Sequence, residues 1–84
     1  MHKKEIHLEN LKMGLDLVNV LTTFKDDVDL SKGSICVDGK SVIGVSSLGY
    51  PTTMDVVLHS DNEITIESFE RCLDNFLAKA VDDD

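Results

Sequence analysis

Along the 84-residue chain, segments in which every second residue is apolar alternate with segments in which apolar residues recur every three or four positions. In Lys4–Leu8 apolar and polar residues alternate, which predicts a short, half-buried strand. From Leu11 onward the apolar residues recur every three or four positions, which predicts an amphipathic helix. Asn10 is suited to be the N-cap of this helix, and the charged residues 25–27 are expected to end it.

The middle of the chain contains a predicted β-hairpin and a segment that the pattern does not resolve. Two short alternating runs, Val28–Leu30 and Ile35–Val37, flank a turn sequence with a glycine and predict the hairpin. In the second run Cys36 falls on the face opposite the apolar residues and is expected to be exposed. The next segment, Ser41–Leu48, is short, apolar and ambiguous between helix and strand, with Ser41 as a suitable N-cap.

The last third of the chain predicts one strand followed by one helix. Residues 54–58 alternate and predict a fourth strand, and a turn at residues 60–62 follows it. The final helix is predicted from apolar residues at helical spacing, with Cys72 as a small core residue on it. Its apolar positions are Ile66, Phe69, Leu73, Phe76, Leu77 and Ala80.

The element order is therefore β-α-β-β-α-β-α, which predicts an α+β fold with helices on one face of the sheet and the other face open. The chain contains no linker, low-complexity stretch or internal repeat, so residues 1–84 are expected to form a single domain. Hydrophobic residues make up 42% of the chain, enough for a core of this size.

Charge and cysteine usage narrow the functional classes. The chain has 8 Lys and Arg against 16 Asp and Glu, a net charge of −8, which disfavours direct nucleic-acid binding. No apolar run approaches the roughly 20 residues of a membrane span, and the start lacks the apolar region of a secretory signal. Two cysteines without metal-ligand or disulfide-scaffold spacing indicate reduced thiols and a cytoplasmic location.

The segment Lys40–Gly49, K-S-V-I-G-V-S-S-L-G, resembles the segment K-S-I-M-G-V-M-S-L-G of HPr, the phosphocarrier family of the bacterial sugar phosphotransferase system. Asp27–Leu30 resembles the D-V-N-L stretch that opens the second HPr strand, and the element order matches over nearly the whole chain. The resemblance implies the HPr-like open-faced β-sandwich, in which three helices cover one face of a four-stranded antiparallel sheet.

The chain departs from the family at the residue that carries the phosphate. HPr proteins hold the phosphohistidine within G-I-H-A-R-P, and the matching residues here read L-E-N-L-K-M. Asn10 stands at the histidine position, Lys12 at the arginine and Met13 at the proline. Since an amide nitrogen cannot form a transferable phosphoramidate, we expect neither phosphocarrier activity nor an enzyme, and we assign no catalytic residue.

The resemblance also implies a regulatory site. In Gram-positive HPr proteins the serine that matches Ser41 is phosphorylated by HPr kinase/phosphorylase, and the product binds a LacI-type transcription regulator. Catabolite repression HPr-like proteins lack the phosphohistidine and keep this serine, as this chain does. The expected function is a regulatory, protein-binding module of a bacterial cytoplasm, phosphorylated at Ser41. The alternative is that Ser41 is not phosphorylated and serves only as the N-cap of a helix.

Partner contacts and two further alternatives complete the hypotheses. The partner-binding residues are expected to be Lys12, Lys40, Ile43, Ser46 and Tyr50, of which Ile43 and Tyr50 would be exposed apolar contacts. One alternative is a phosphocarrier that uses His7 as a non-standard acceptor, and the other is an interaction module without phosphorylation. The chain is expected to be a monomer or a weak dimer.

The remaining nucleophilic and metal-ligating residues predict no additional site. The histidines and cysteines have no spacing that would bring three or four ligands to one metal ion, so neither a metal nor a cofactor is expected. His59, Ser60 and Asp61 are neighbours in a turn and cannot converge as nucleophile, base and orienting group.

Overall fold

In the computed structural model, which describes residues 2–77, four antiparallel strands form one sheet. The strands are β1 (His2–Leu8), β2 (Val28–Lys32), β3 (Ile35–Asp38) and β4 (Thr52–Leu58). The helices are α1 (Leu11–Leu21), α2 (Val42–Ser46) and α3 (Glu63–Cys72). The spatial order β1-β4-β2-β3 and the three helices form the predicted α+β, open-faced β-sandwich. The segment Ser41–Leu48, which the sequence pattern left open between helix and strand, contains the helix α2.

The core lies between the helices and one face of the sheet. Along β4 every second residue from Thr52 to Leu58 is buried, and the residues between them lie on the open face. Burial of each large apolar side chain contributes about 1.5–3 kcal/mol. The buried apolar residues of the sheet are Ile6, Leu8, Val28, Leu30, Met54, Val56 and Leu58.

The helices close the core with one aromatic side chain at its centre. Phe69 of α3 is fully buried, and its ring meets the ring of Phe24 edge-to-face with centroids 6.1 Å apart. The imidazole of His2 makes a second edge-to-face contact with Phe69 at 6.0 Å. Such pairs add about 0.5–1.5 kcal/mol to the stabilisation from burial, so Phe69 ties α3 to β1 and to the loop after α1.

Two helices end earlier than the sequence predicts. α1 ends at Leu21, with Thr22 as its C-cap, so the charged residues 25–27 lie beyond the helix. α3 ends at Cys72 rather than continuing through Phe76 and Leu77. The last predicted position, Ala80, lies outside the described residues.

The edge of β1 explains why α3 ends early. The backbone N–H of His7 donates to the Phe76 carbonyl over 2.7 Å, and Leu77 forms a β-bridge with Ile6. Phe76 and Leu77 are therefore held by a strand edge, although their spacing is typical of a helix. The prediction for Cys72 is also wrong, because the buried stripe of α3 runs through Phe69 and Leu73, and Cys72 lies off it and is exposed.

None of the helices within residues 2–77 has the length and apolar character needed to cross a membrane.

Candidate functional site

Asn10 caps the start of α1. Its backbone is extended, and its Oδ1 accepts a hydrogen bond of 3.0 Å from the backbone N–H of Met13. This bond satisfies one of the amides that the first helical turn leaves without a partner. The side-chain oxygen is therefore committed to the backbone, and the remaining amide nitrogen has no nucleophilic lone pair because it is conjugated with the carbonyl.

Lys12, two residues further, extends from the first turn of α1. Its Nζ lies 3.2 Å from Oδ2 of Asp16, and its side chain is 83% exposed. An exposed pair of this kind contributes little to stability, so the ammonium group stays accessible to another molecule. This placement is compatible with the predicted role of Lys12 in partner binding.

His7 lies on the open face of the sheet, on the side away from the helices. Its neighbours Ile6 and Leu8 point into the core, which directs His7 outward. Its Nδ1 is 2.9 Å from Oγ1 of Thr53, and its Nε2 is 2.9 Å from Oε1 of Glu9. Both ring nitrogens are thus engaged, and the Glu9 carboxylate would repel an incoming phosphoryl group.

Ser41 is the N-cap of α2 and is partly buried. Its Oγ accepts a hydrogen bond of 3.1 Å from the backbone N–H of Gly44. The ammonium group of the adjacent Lys40 is already engaged, because Nζ donates to the Phe24 carbonyl over 2.6 Å. Lys40 therefore connects the segment before α2 to the loop after α1.

Exposed apolar side chains follow Ser41 on α2, and another lies at the start of α1, the helix that contacts α2. Ile43 is 84% exposed and Val42 is 54% exposed, while Leu11 at the start of α1 is 45% exposed. Together with Lys12 and the exposed Ser46, these residues define what we call the α1–α2 surface. Ile43 is exposed as predicted, while its role in partner binding stays a prediction, and Val45 is fully buried.

Sequence reasoning missed two members of this surface and misplaced a third residue. Leu11 belongs to the apolar pattern of α1 and Val42 to that of α2, yet each lies directly after an N-cap, where the first turn does not reach the core. Tyr50 is not a free exposed side chain. It packs against the core, and its Oη donates to the Val45 carbonyl over 2.6 Å.

His59, which follows β4, pairs with Asp29 of the neighbouring strand β2. Nε2 of His59 is 2.8 Å from Oδ2 of Asp29, and these two residues line a shallow depression together with Asp27 and Asp38. Across residues 2–77, no three His, Cys, Asp or Glu side chains come together in an arrangement that could hold a metal ion.

The fold is shared with a solved structure, the crystal structure of HPr-C-His from Thermoanaerobacter tengcongensis. The two chains align with a TM-score of 0.72 and 22% sequence identity, over 90% of this chain and 91% of that chain. No family model and no curated protein matches the sequence. The comparison shows that this chain has the HPr-like fold.

Proposed function

We propose that this protein is an HPr-like regulatory module, related to the bacterial sugar phosphotransferase system, that binds other proteins and carries no phosphoryl group for transfer. Ser41 is its modification site, and the α1–α2 surface is its docking surface. The observation that carries this proposal is the role of Asn10, which begins α1 of an HPr-like fold as a hydrogen-bonded cap.

The absence of a suitable nucleophile at the start of α1 argues against carrier chemistry. Phosphoryl transfer through a protein nitrogen requires an imidazole with an accessible lone pair, and Asn10 offers only an amide. His7 is the nearest histidine in the sequence. Its Nε2 is held by Glu9 and its Nδ1 by Thr53, and its side chain lies on the other face of the sheet. These contacts disfavour the alternative in which His7 replaces the missing acceptor.

Ser41 supports a regulatory role because of what surrounds it. A phosphate on Oγ would add about −1.5 to −2 charges and three strong acceptor oxygens. It would stand beside Ile43 and Val42, which expose apolar surface to solvent. A partner with an apolar patch and nearby Arg or Lys side chains would recognise both features at once. The chain already carries a net charge of −8, so such a partner would also be attracted at long range.

Intact-mass analysis after two parallel incubations tests the proposal. One incubation contains phosphoenolpyruvate and the general phosphotransferase enzyme I, and the other contains ATP and HPr kinase/phosphorylase. We expect one added phosphate in the second incubation alone, mapped to Ser41. Ser41→Ala should abolish the labelling, whereas Ser34→Ala, at an exposed serine of the turn between β2 and β3, should retain it.

Two results would contradict the proposal. A phosphate from phosphoenolpyruvate would show carrier activity through another residue, with His7→Ala as the variant that identifies it. No phosphate in either incubation would leave an interaction module without serine modification. Circular dichroism of Ser41→Ala must match the parent, because this change also removes the cap of α2.

A further inference from the structure

We infer that Tyr50 is a positioning residue that holds α2 against α1, and that Gly14 of α1 is the residue that makes room for it. The inference rests on the proposed function of the α1–α2 surface and adds the device that sets its shape. Tyr50 follows α2 in the chain and reaches back to the helix, so a single side chain links α2, α1 and the core.

The packing around the Tyr50 hydroxyl shows this link directly. Oη donates to the backbone carbonyl of Val45, the buried residue of α2. On the other side Oη approaches Gly14 so closely that a Cβ at this position would overlap it. The same Cβ would lie 3.0 Å from Cζ of Tyr50 and 3.2 Å from Cγ1 of Val45. Glycine is an unfavourable residue inside a helix, and here its missing side chain is the space that Tyr50 occupies.

α2 depends on such an anchor because it is only five residues long. Isolated helices shorter than about 12–15 residues are marginal in water, so tertiary contacts must hold this one. Val45 is its one buried residue, and the Ser41 cap satisfies a single amide. The hydroxyl of Tyr50 remains a proton donor at neutral pH, since burial raises its pKa above the ordinary value of 10.0.

The position of α2 decides what a partner meets on the α1–α2 surface. Ser41 and Ile43 move with α2, whereas Leu11 and Lys12 move with α1. A partner that contacts both helices binds the arrangement in which they are fixed, and its apparent affinity falls with the fraction of molecules in which α2 has opened. Tyr50 therefore keeps the two halves of the surface in one arrangement.

Amide hydrogen exchange of Tyr50→Phe tests the link. The variant keeps the ring and removes the hydroxyl. Losing a hydrogen bond of typical net strength should raise the equilibrium constant for the opening of α2 by roughly three- to tenfold. We expect the amides of Val45 and Ser47 in α2 to exchange faster by about that factor, while the amide of Val56 in β4 keeps its rate.

Substitution of Gly14 provides an independent test through the same contact. Gly14→Ala should accelerate exchange in α2 in the parent protein, and this effect should shrink in the Tyr50→Phe background, where Oη no longer occupies the space. Gly44→Ala is the matched control, because a Cβ there would meet its nearest neighbours at an ordinary 3.4 Å. It should leave exchange in α2 no faster than in the parent.

The serine kinase assay separates positioning from simple stabilisation. With Tyr50→Phe as the protein substrate, the KM for labelling of Ser41 should rise in proportion to the loss of the closed fraction that exchange reports, and kcat should stay unchanged. Unchanged exchange in α2 would overturn the inference, and so would a KM that stays constant although exchange reports a measurable loss of the closed fraction. If the parent protein is not labelled at Ser41, the proposed function fails, and the exchange rates still decide whether Tyr50 holds α2.

Discussion

Glu5 of β1 and Asp55 of β4 lie directly opposite each other on the open face of the sheet. Like charges at directly opposed positions of an antiparallel pair destabilise the sheet. The chain thus contains two neighbouring carboxylates where an opposite-charge pair would be more stable.

Replacing Glu5 is therefore expected to stabilise the protein. Glu5→Gln should raise the free energy of unfolding by a few tenths of a kcal/mol, and Glu5→Lys by about 0.2–1 kcal/mol, measured by urea denaturation. The gain should shrink in about 1 M salt, where charge interactions are screened. Asp74→Asn makes the same charge change as Glu5→Gln, but the group of residues around Asp74 contains the cations Lys4 and Arg71 as well as two carboxylates, Glu67 and Glu70. A comparable gain in this control would point to net charge instead of the pair.

The N-caps of α1 and α3 should each contribute to stability. Oδ1 of Asn62 accepts hydrogen bonds from the amides of Ile64 and Thr65 at 2.9 and 3.0 Å. Asn10→Ala and Asn62→Ala should each lower the free energy of unfolding by about 1 kcal/mol. Asn10→Asp and Asn62→Asp keep the acceptor and should stay close to the parent in the same urea titration. Alanine variants as stable as the parent would show that these bonds are replaced by water without loss.

Both cysteines should react in the native protein. Cys36 and Cys72 are exposed free thiols, so Ellman's reagent should modify two thiols per chain without denaturant. Cys36→Ser and Cys72→Ser should each leave one reactive thiol. A single reactive thiol in the native parent, with the second appearing only in urea, would mean that Cys72 is a core residue after all.

Tyr50 should make stability depend on pH in the alkaline range. Because burial raises its pKa above 10.0 in the folded chain, the unfolded chain releases the phenol proton first. The contribution is fully present below about pH 10 and is lost as the pH rises through the folded pKa. The stability difference between the parent and Tyr50→Phe should therefore decrease above about pH 10 in urea titrations. A difference that stays constant to about pH 11 would contradict the raised pKa.

The strands and the helix starts could be predicted because their signals are local. Apolar and polar residues alternate along β4, which indicates a sheet with one covered face. Asn10 and Ser41 are N-caps whose side chains accept hydrogen bonds from amides only three residues ahead. The element order predicted an α+β fold with helices on one face, and the resemblance of Lys40–Gly49 to HPr implied the HPr-like arrangement that the structure shows. Local pattern therefore predicts which residues cap a helix and which face of a strand is buried, although β1 and β4 each begin two residues earlier than predicted.

The end of α3 and the role of Tyr50 depend on contacts between distant residues. Phe76 is apolar at helical spacing, yet its carbonyl is fixed by His7, far earlier in the chain. Tyr50 was expected to be exposed, but the space left by Gly14 on another helix receives its hydroxyl. The sequence around Phe76 gives no sign of the contact with His7, and the sequence around Tyr50 gives no sign of the contact with Gly14. The sequence predicted the caps Asn10 and Ser41 and the exposure of Ile43. It did not predict that Leu11 and Val42 are exposed.

The contact of residues 76 and 77 with β1 has a consequence for self-association. A strand at the border of a sheet exposes unpaired N–H and C=O groups that can recruit a strand from another molecule. Here His7 donates its N–H to Phe76, and Leu77 bridges to Ile6, so the chain covers part of its own border. A protein cleaved after Cys72 would expose this border together with the apolar surface that Phe76 buries. We expect such a fragment to aggregate in concentrated solution more readily than the chain in which Phe76 and Leu77 cover the β1 border.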